Sequence, residues 1–153
     1  LIESLYRYPY GCSEQLVSAA LPLLYLNDLG GEAGLGPDFS SRPRIQEVVN
    51  QLLNRQAPDG SFGLWREQDG GATAWLGAYI TDFLYRAKAE GYGVPDEALD
   101  RSYGALAQIA RIDRWVYSGY QMQAYEGPWS NDTTDQLRRR SAAYAYYVLA
   151  RAG

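Results

Sequence analysis

Apolar residues recur along the chain in segments of helical length, separated by runs rich in glycine and proline. The segment that follows Ser41 is the clearest, because its apolar positions repeat with the i, i+3, i+4, i+7 spacing of one helix face. Those positions are Ile45, Val48, Val49, Leu52 and Leu53. Ser41 is a suitable N-cap, and Pro43 falls in the first turn. Polar residues occupy the opposite face, so the pattern predicts an amphipathic helix on the outside of the fold.

Three other segments are apolar on most sides, and this pattern predicts buried helices. They cover approximately residues 12–27, 72–89 and 134–152. A further segment begins after Pro95 and carries a single apolar stripe, which predicts a second outer helix. Its stripe consists of Leu99, Tyr103, Leu106 and Ala110. Buried and outer helices thus alternate with a period of about 60 residues, as in a helical array. Closed into a ring, such an array is an α/α toroid. We therefore predict an all-α fold that forms a partial ring of alternating inner and outer helices.

The connection between Gln56 and Gly71 contains Pro58-Asp59-Gly60, a turn signal with a known conformational basis. Its Gln…Gly-x-Phe-Gly-x-Trp pattern resembles the loop that repeats in α/α toroid domains, terpenoid cyclases included. The resemblance implies that Phe62 and Trp65 pack under the loop and that Gln56 caps a helix end.

The composition is that of one globular domain. The chain has 153 residues, of which 46% are hydrophobic and 21% charged, and its net charge is −4. The one basic run, 138–140, fits a solvated turn at a helix start, so nucleic acid is not an expected partner. No apolar run reaches the roughly 20 residues that span a bilayer, so we expect no membrane insertion. No signal peptide opens the chain, and residues 1–5 read as mid-protein sequence, so we expect a fragment of a larger protein.

The chain contains no histidine and a single cysteine, Cys12. The absence of histidine removes the Cys–His dyad and the common zinc ligands. A metal site would need carboxylates alone, and no Asp/Glu spacing favours one, so neither a metal nor another cofactor is expected. A single cysteine has no disulfide partner within the chain.

Cys12 lies in the run Tyr8-Pro9-Tyr10-Gly11-Cys12-Ser13-Glu14-Gln15. Side chains at i and i+3 share a helix face, so the Cys12 thiol and the Gln15 amide are brought together. With loss of ammonia they can join as a thioester between the Cys12 sulfur and the Gln15 carbonyl. An amine that attacks this carbonyl stays attached to Gln15 and releases Cys12 as a thiolate. The dipole of a helix that starts near Cys12 would favour the thiolate.

Gly-Cys-x-Glu-Gln preceded by Tyr-Pro-Tyr resembles the thioester motif of the alpha-2-macroglobulin family, and its bacterial branch most closely. The resemblance implies that residues 1–153 are the N-terminal portion of a single thioester-containing α/α toroid domain. It also implies the site residues, which are Cys12 and Gln15 for the bond and Tyr8, Tyr10, Gly11 and Glu14 for the motif and its protection.

The tyrosines of this motif are expected to keep water from the bond, because aromatic side chains cover it at small entropic cost. Glu14 is expected to anchor the motif through backbone N–H groups, as a first-turn acid can. A general-base role for Glu14 is the alternative.

The resemblance implies a broad-range endopeptidase inhibitor rather than an enzyme. In the family, a protease cuts a bait region, the thioester is exposed, and a lysine amine of the protease is acylated, which traps the protease covalently. The other domains of the same protein are further expected partners. The resemblance also implies a role in bacterial defence and a periplasmic location, with a lipid anchor as one option. An open half-ring would expose an apolar flank, which makes a dimer a further expectation.

Complement-type relatives carry a histidine that transfers the acyl group to hydroxyls. This chain has none, although it is expected to reach the matching loop within 118–135, so the thioester should prefer amines. Asn131 is the alternative occupant of that role, and a polar loop residue is the simpler interpretation.

Three rival functions stay open. The first is a toroid scaffold that binds partners without thioester chemistry, with Cys12 as an ordinary buried thiol. The second is a toroid enzyme such as a terpenoid cyclase or a glycosidase, but the aspartate-rich cyclase motif is absent. The loop carboxylates Glu67, Asp69 and Glu126 form no pair that a glycosidase could use. The third is a cysteine-nucleophile enzyme, for which the chain offers no histidine base.

Overall fold

Helices account for most of the described part of the chain, which in this computed structural model comprises residues 11–29, 41–69, 73–111 and 134–153. They are α1 (Ser13–Leu29), α2 (Arg42–Leu53), α3 (Ala74–Ala89), α4 (Asp96–Ala110) and α5 (Thr134–Ala152). Within these ranges the structure has no strand, only an isolated antiparallel bridge between Gln56 and Phe62. The all-α prediction is confirmed, and each helix begins within about two residues of its predicted start.

Inner and outer helices alternate as predicted. Helix α3 lies between α1 and α5, whereas α2 packs on α1 and α3, and α4 packs on α3 and α5. Two cross-helix contacts fix the direction of the inner layer. The Ser18 and Tyr79 hydroxyls are 3.1 Å apart, and Arg86 donates to the Tyr25 hydroxyl. Ser18 and Tyr79 are each the sixth residue of their helix, and Tyr25 and Arg86 each the thirteenth. Helices α1 and α3 are therefore parallel and in register.

Two apolar clusters hold these layers together. The larger one lies between α1, α2 and α3 and includes fully buried side chains from each of them, among them Leu16, Leu23, Ile45, Val49, Leu52, Ile80 and Phe83. The smaller one joins α3, α4 and α5 and is rich in alanine, with Ala74, Ala78, Ala105, Leu106, Ile109, Ala145 and Val148. Small side chains let these helices approach closely, which favours the tight packing of an inner layer.

A buried carboxylate near the middle of α3 connects two inner helices, α3 and α5. Asp82 accepts hydrogen bonds from Arg86 Nε at 2.9 Å and Nη2 at 3.1 Å, and from the Tyr144 hydroxyl at 3.1 Å. The hydrogen bond to Asp82 is the main cause that raises the pKa of Arg86, while burial, reinforced by Asp82, raises the pKa of Tyr144. Arg86 also bonds the Tyr147 hydroxyl at 3.2 Å, so the network spans α3 and α5.

The prediction that the last helix is buried holds for one side of the helix only. Tyr146 and Tyr147 are 55% and 48% exposed, although Ala145 and Val148 are fully buried. Among the described helices α5 packs on α3 and α4, which leaves its remaining side open to solvent.

The segment 56–69, here called the toroid loop, crosses from α2 toward α3. Phe62 is fully buried as predicted, but Trp65 is 59% exposed, so the prediction that it packs under the loop is wrong. Gln56 donates to the Ala98 carbonyl at 2.8 Å and the Ser102 hydroxyl at 2.9 Å. Both acceptors lie within the first two turns of α4. The amide therefore ties the loop to an outer helix and does not cap a helix end, which corrects the expectation for Gln56.

Gly60 marks the closest approach of the toroid loop to α4. Its φ is +87°, and a Cβ built there would lie 2.0 Å from the Arg101 carbonyl oxygen. Both the left-handed backbone and the lack of space require glycine. The backbone atom that it would meet belongs to a regular helix and cannot move cheaply.

We predict that Gly60→Ala lowers the free energy of unfolding by roughly 2 kcal/mol or more, because the variant combines a strained φ with a backbone clash. Gly104→Ala is the matched control. Gly104 lies in α4 with open space around its Cα, so alanine should raise stability by about 0.5–1 kcal/mol. Urea unfolding followed by tryptophan fluorescence measures both changes. Equal stabilities for the two variants would contradict the description of the loop.

Candidate functional site

The first turn of α1 brings Cys12 and Gln15 together. The Cys12 carbonyl accepts the first helical hydrogen bond from Leu16 N at 2.9 Å, so Cys12 is the N-cap residue and Gln15 is the third residue of the helix. From that position the Gln15 side chain folds back, and its Oε1 accepts a hydrogen bond from the Cys12 backbone N–H at 3.1 Å. This contact is the returning half of a capping box.

The folded-back amide orients the carbonyl group that a thioester would use. With Gln15 Oε1 held at the Cys12 backbone, the side-chain carbonyl carbon lies within the turn that carries the thiol. Cys12 is half-buried and is a free cysteine, while Glu14 and Gln15 are exposed. The side chain that accepts a hydrogen bond from the Cys12 backbone N–H is Gln15 and not Glu14. The anchoring role of Glu14 stays a prediction.

Gly11 leaves little room for a side chain in the same turn. A Cβ added to Gly11 would lie 3.0 Å from Gln15 Cβ and 3.5 Å from Gln15 Oε1. A larger residue would therefore press against the side chain that must fold back onto Cys12. The other two motif residues predicted from the sequence, Tyr8 and Tyr10, lie outside the described residues.

Ser13 attaches this turn to the toroid loop. It is fully buried, its backbone N–H donates to the Leu64 carbonyl at 2.7 Å, and its hydroxyl lies 2.7 Å from the Gly63 carbonyl and 3.0 Å from that of Leu64. The contact joins residues about fifty positions apart in sequence. It fixes where α1 begins, and therefore where Cys12 and Gln15 lie.

Arg55 completes the attachment from a third direction. Its Nη1 donates to the Ser13 hydroxyl at 3.1 Å and the Leu64 carbonyl at 2.9 Å, and its Nη2 donates to the Gly11 carbonyl at 3.1 Å. Burial lowers the pKa of the Arg55 guanidinium from its ordinary value, and the nearby Cys12 and Asp69 oppose that shift. Arg55 was not among the site residues predicted from the sequence. Its position directly before the Gln56 pattern was the available signal.

Asp69 shapes the turn that presents Leu64. Its Oδ1 accepts from Leu64 N at 3.0 Å, and its Oδ2 accepts from Arg66 N at 3.0 Å and from Trp65 N. Three backbone donors on one carboxylate describe a loop-forming residue. This explains Asp69, one of the loop carboxylates weighed for an enzyme, without a catalytic function. Glu67 is exposed on the same loop, and Glu126 lies outside the described residues.

Trp65 lies on the toroid loop next to the residue that binds the motif, and not under the loop as predicted. It follows Leu64, whose carbonyl binds Ser13, and its ring is mostly exposed. In the described ranges, no three His, Cys, Asp or Glu side chains group so that they could hold a metal ion. The same ranges contain no helix with the length and apolarity needed to cross a membrane. Asn131 lies outside the described residues.

A partial α/α toroid whose first inner helix opens with Gly-Cys-x-Glu-Gln defines the class of the domain, and comparison with known proteins agrees. The family model described as the A-macroglobulin TED domain matches residues 1–122. Among curated proteins, alpha-2-macroglobulin of Escherichia coli K12 is 40% identical over 136 residues, which are 81% of this chain and 8% of that protein. Alpha-2-macroglobulin of Xylella fastidiosa Temecula1 is 27% identical over 155 residues, covering 99% of this chain and 9% of the relative.

Solved structures give the same result. The crystal structure of native Escherichia coli alpha-2-macroglobulin from domain MG7 to the C-terminus has a TM-score of 0.75 and 32% identity, covering 99% of this chain and 22% of that one. Salmonella alpha-2-macroglobulin reacted with methylamine has a TM-score of 0.72 and 33% identity, covering 99% of this chain and 9% of that one. The chain belongs to the bacterial alpha-2-macroglobulin family and contains its thioester-domain fold. It spans less than a tenth of the length of these curated relatives.

We predict that Ser13→Ala lowers the free energy of unfolding by about 2 kcal/mol, because Arg55 loses an acceptor and the hydroxyl's bond to the loop carbonyls disappears in a buried place. Ser18→Ala on the same helix is the control. Its hydroxyl is exposed and contacts Tyr79, so the change should stay within about 0.5 kcal/mol. Urea unfolding compares the two. A Ser13→Ala variant as stable as Ser18→Ala would show that the loop contact does not hold α1.

Proposed function

We propose that this chain is part of the thioester domain of a bacterial alpha-2-macroglobulin-like, broad-range endopeptidase inhibitor. In this proposal Cys12 and Gln15 form the thioester, and the inhibitor traps proteases covalently by acylating their lysines. The observation that carries the proposal is the Gln15 amide folded back onto Cys12, with Oε1 3.1 Å from the backbone nitrogen. Family membership supports it, as do the related structures described as reacted with methylamine and as trypsin activated.

The chemistry follows from the turn. An amine attacks the Gln15 carbonyl carbon, the carbon–sulfur bond breaks, and its electron pair stays on the Cys12 sulfur. The amine proton passes to solvent, and an amide joins Gln15 to the target. Because Cys12 is the N-cap residue of α1, the helix dipole favours the thiolate that departs. The chain supplies no histidine for this step.

In this proposal, aromatic residues keep water from the thioester. Tyr8 and Tyr10 precede it in sequence, and the exposed ring of Trp65 follows the residue that binds Ser13. An exposed tryptophan on the loop that binds the motif is suited to contact another domain that covers the site. The other domains of the full-length protein are the partners proposed for that cover.

The remaining proposals concern the larger protein. Residues 1–153 form the first portion of the ring, and the exposed face of α5 with Tyr146 and Tyr147 packs against a further inner helix or against a second copy. The inhibitor is located in the periplasm, where a lipid anchor would retain it. Its targets are bacterial or foreign proteases that cut its bait region.

The intact mass of the full-length protein tests the bond. We predict a mass lower than the sequence mass by one ammonia, with Cys12 protected from alkylation. Methylamine should then add across the bond, which frees the thiol, leaves an N-methylated Gln15 and brings the protein to the sequence mass plus one methylene group. Cys12→Ala is the control and should show the full sequence mass. A native protein with no mass deficit and a reactive Cys12 would favour the rival function, a toroid scaffold without thioester chemistry.

The nucleophile preference is tested separately. Because no histidine is available to activate hydroxyls, we predict that methylamine is incorporated at Gln15 faster than glycerol at equal concentration. Peptide mass spectrometry of the Gln15 peptide measures both adducts. Equal incorporation would contradict the prediction and direct attention to Asn131, whose replacement by alanine should then reduce the glycerol adduct.

A further inference from the structure

Arg55 contacts the thioester motif from a distant part of the chain. It lies just beyond the C-terminal end of α2, yet its two terminal nitrogens reach the Gly11 carbonyl, the Ser13 hydroxyl and the Leu64 carbonyl, all within 3.1 Å. The Gly11 carbonyl belongs to the peptide bond that leads into Cys12. The guanidinium is therefore fixed at the backbone that carries the thiol.

Acidic side chains lie on the motif and on the toroid loop, which makes the position of the Arg55 guanidinium significant for the sulfur. Glu14, on the same helix, is exposed two residues away. Asp69 belongs to the toroid loop, where its carboxylate is occupied by backbone N–H groups. A negative charge near Cys12 disfavours a further negative charge on the sulfur. In the described ranges, Arg55 is the cationic side chain that hydrogen-bonds residues of the motif, and Cys12 and Arg55 interact electrostatically.

We propose that Arg55 is a positioning residue for thioester aminolysis, which fixes the Gly11–Cys12 peptide and places a positive charge beside the sulfur as the thiolate departs. The proposal rests on the proposed function, since the departing thiolate presupposes the thioester. As the carbon–sulfur bond breaks, the electron pair moves to Cys12, and the nearby guanidinium offsets the charge that develops there. The proton of the amine passes to solvent, so Arg55 neither gains nor loses a proton.

The side chain is suited to this role because it is an arginine. A guanidinium stays protonated and presents several donors in a fixed plane, so one group can bind three acceptors and keep its charge in place. A lysine carries the same charge but could not span the three acceptors with one ammonium group. Partial burial strengthens the interaction, since fewer water molecules screen the charge.

Two roles of Arg55 can be distinguished: a side chain that only holds the fold together, and a charge that acts on the Cys12 sulfur. Loss of a structural tie lowers stability and leaves the acidity of the thiol unchanged. Loss of the charge raises the thiol pKa and slows thiolate release. The pH dependence of Cys12 alkylation therefore separates the two roles.

The experiment uses the full-length protein after methylamine treatment, which frees Cys12, and follows iodoacetamide labelling of the Cys12 peptide by mass spectrometry across pH. We expect Arg55→Gln to raise the apparent pKa of Cys12 by roughly half a unit or more. Arg55→Lys should leave it near that of the unaltered protein. Arg66→Gln is the matched control, because it removes the same charge from an exposed position on the adjoining toroid loop. A shift in Arg55→Gln no larger than in Arg66→Gln would overturn the proposal.

The rate of methylamine cleavage gives a second readout. Arg55→Gln should slow cleavage about threefold or more relative to Arg66→Gln, because a more basic thiolate leaves more slowly. Equal rates in the two variants would overturn the role in aminolysis.

Salt provides a test that does not depend on a folded Arg55 variant. If the positive charge dominates, higher ionic strength should raise the Cys12 pKa of the unaltered protein, whereas Glu14 and Asp69 alone predict the opposite sign. A pKa that stays constant or falls with salt would overturn the proposal. Failure of the proposed function is recognised separately, by a native mass with no ammonia deficit, and the Cys12 pKa is measurable even then.

Discussion

The attachment of Ser13 to the toroid loop is the constraint on which the site depends. A fully buried serine gives its backbone N–H to the Leu64 carbonyl and places its hydroxyl against two loop carbonyls, while Arg55 donates to the same hydroxyl. Buried polar groups of this kind are costly unless each has a partner. Here the partners come from both sides, so the first turn of α1 can occupy one position only. Cys12 and Gln15 belong to the same turn as Ser13, so the attachment of Ser13 also fixes where they lie.

The helices could be predicted well because their apolar residues follow a regular period. Helix α3 is apolar nearly all round and lies between two inner neighbours, and α2 carries one stripe and lies outside. The burial of α5 was overestimated for a physical reason. Tyr146 and Tyr147 are as suited to a helix–helix contact as Val148, but a contact also requires a neighbour on that side, and periodicity does not report whether one is present.

The site was predictable only as far as it is local. Two residues three positions apart meet whenever a helix forms, and Gln15 indeed folds back onto Cys12. Arg55 comes from 43 positions beyond Cys12, and its contacts depend on how α2 and the toroid loop pack against α1. For Trp65 a sequence pattern was available, but the burial that it suggested is not observed. Its place in a familiar loop pattern suggested burial, but Asp69 gathers the backbone of Leu64, Trp65 and Arg66 into a turn that leaves the tryptophan ring outside.

Apolar helix contacts hold the fold, buried hydrogen bonds hold the turn that carries the motif, and the proposed chemistry is a bond between Cys12 and Gln15. A crystal structure of the complete protein in its native state, before any amine or protease has reacted, tests that claim most directly. We predict continuous electron density between Cys12 Sγ and Gln15 Cδ at covalent distance, with Arg55 hydrogen-bonded to the Gly11 carbonyl. Separate side chains, with a free thiol and an intact Gln15 amide, would contradict it.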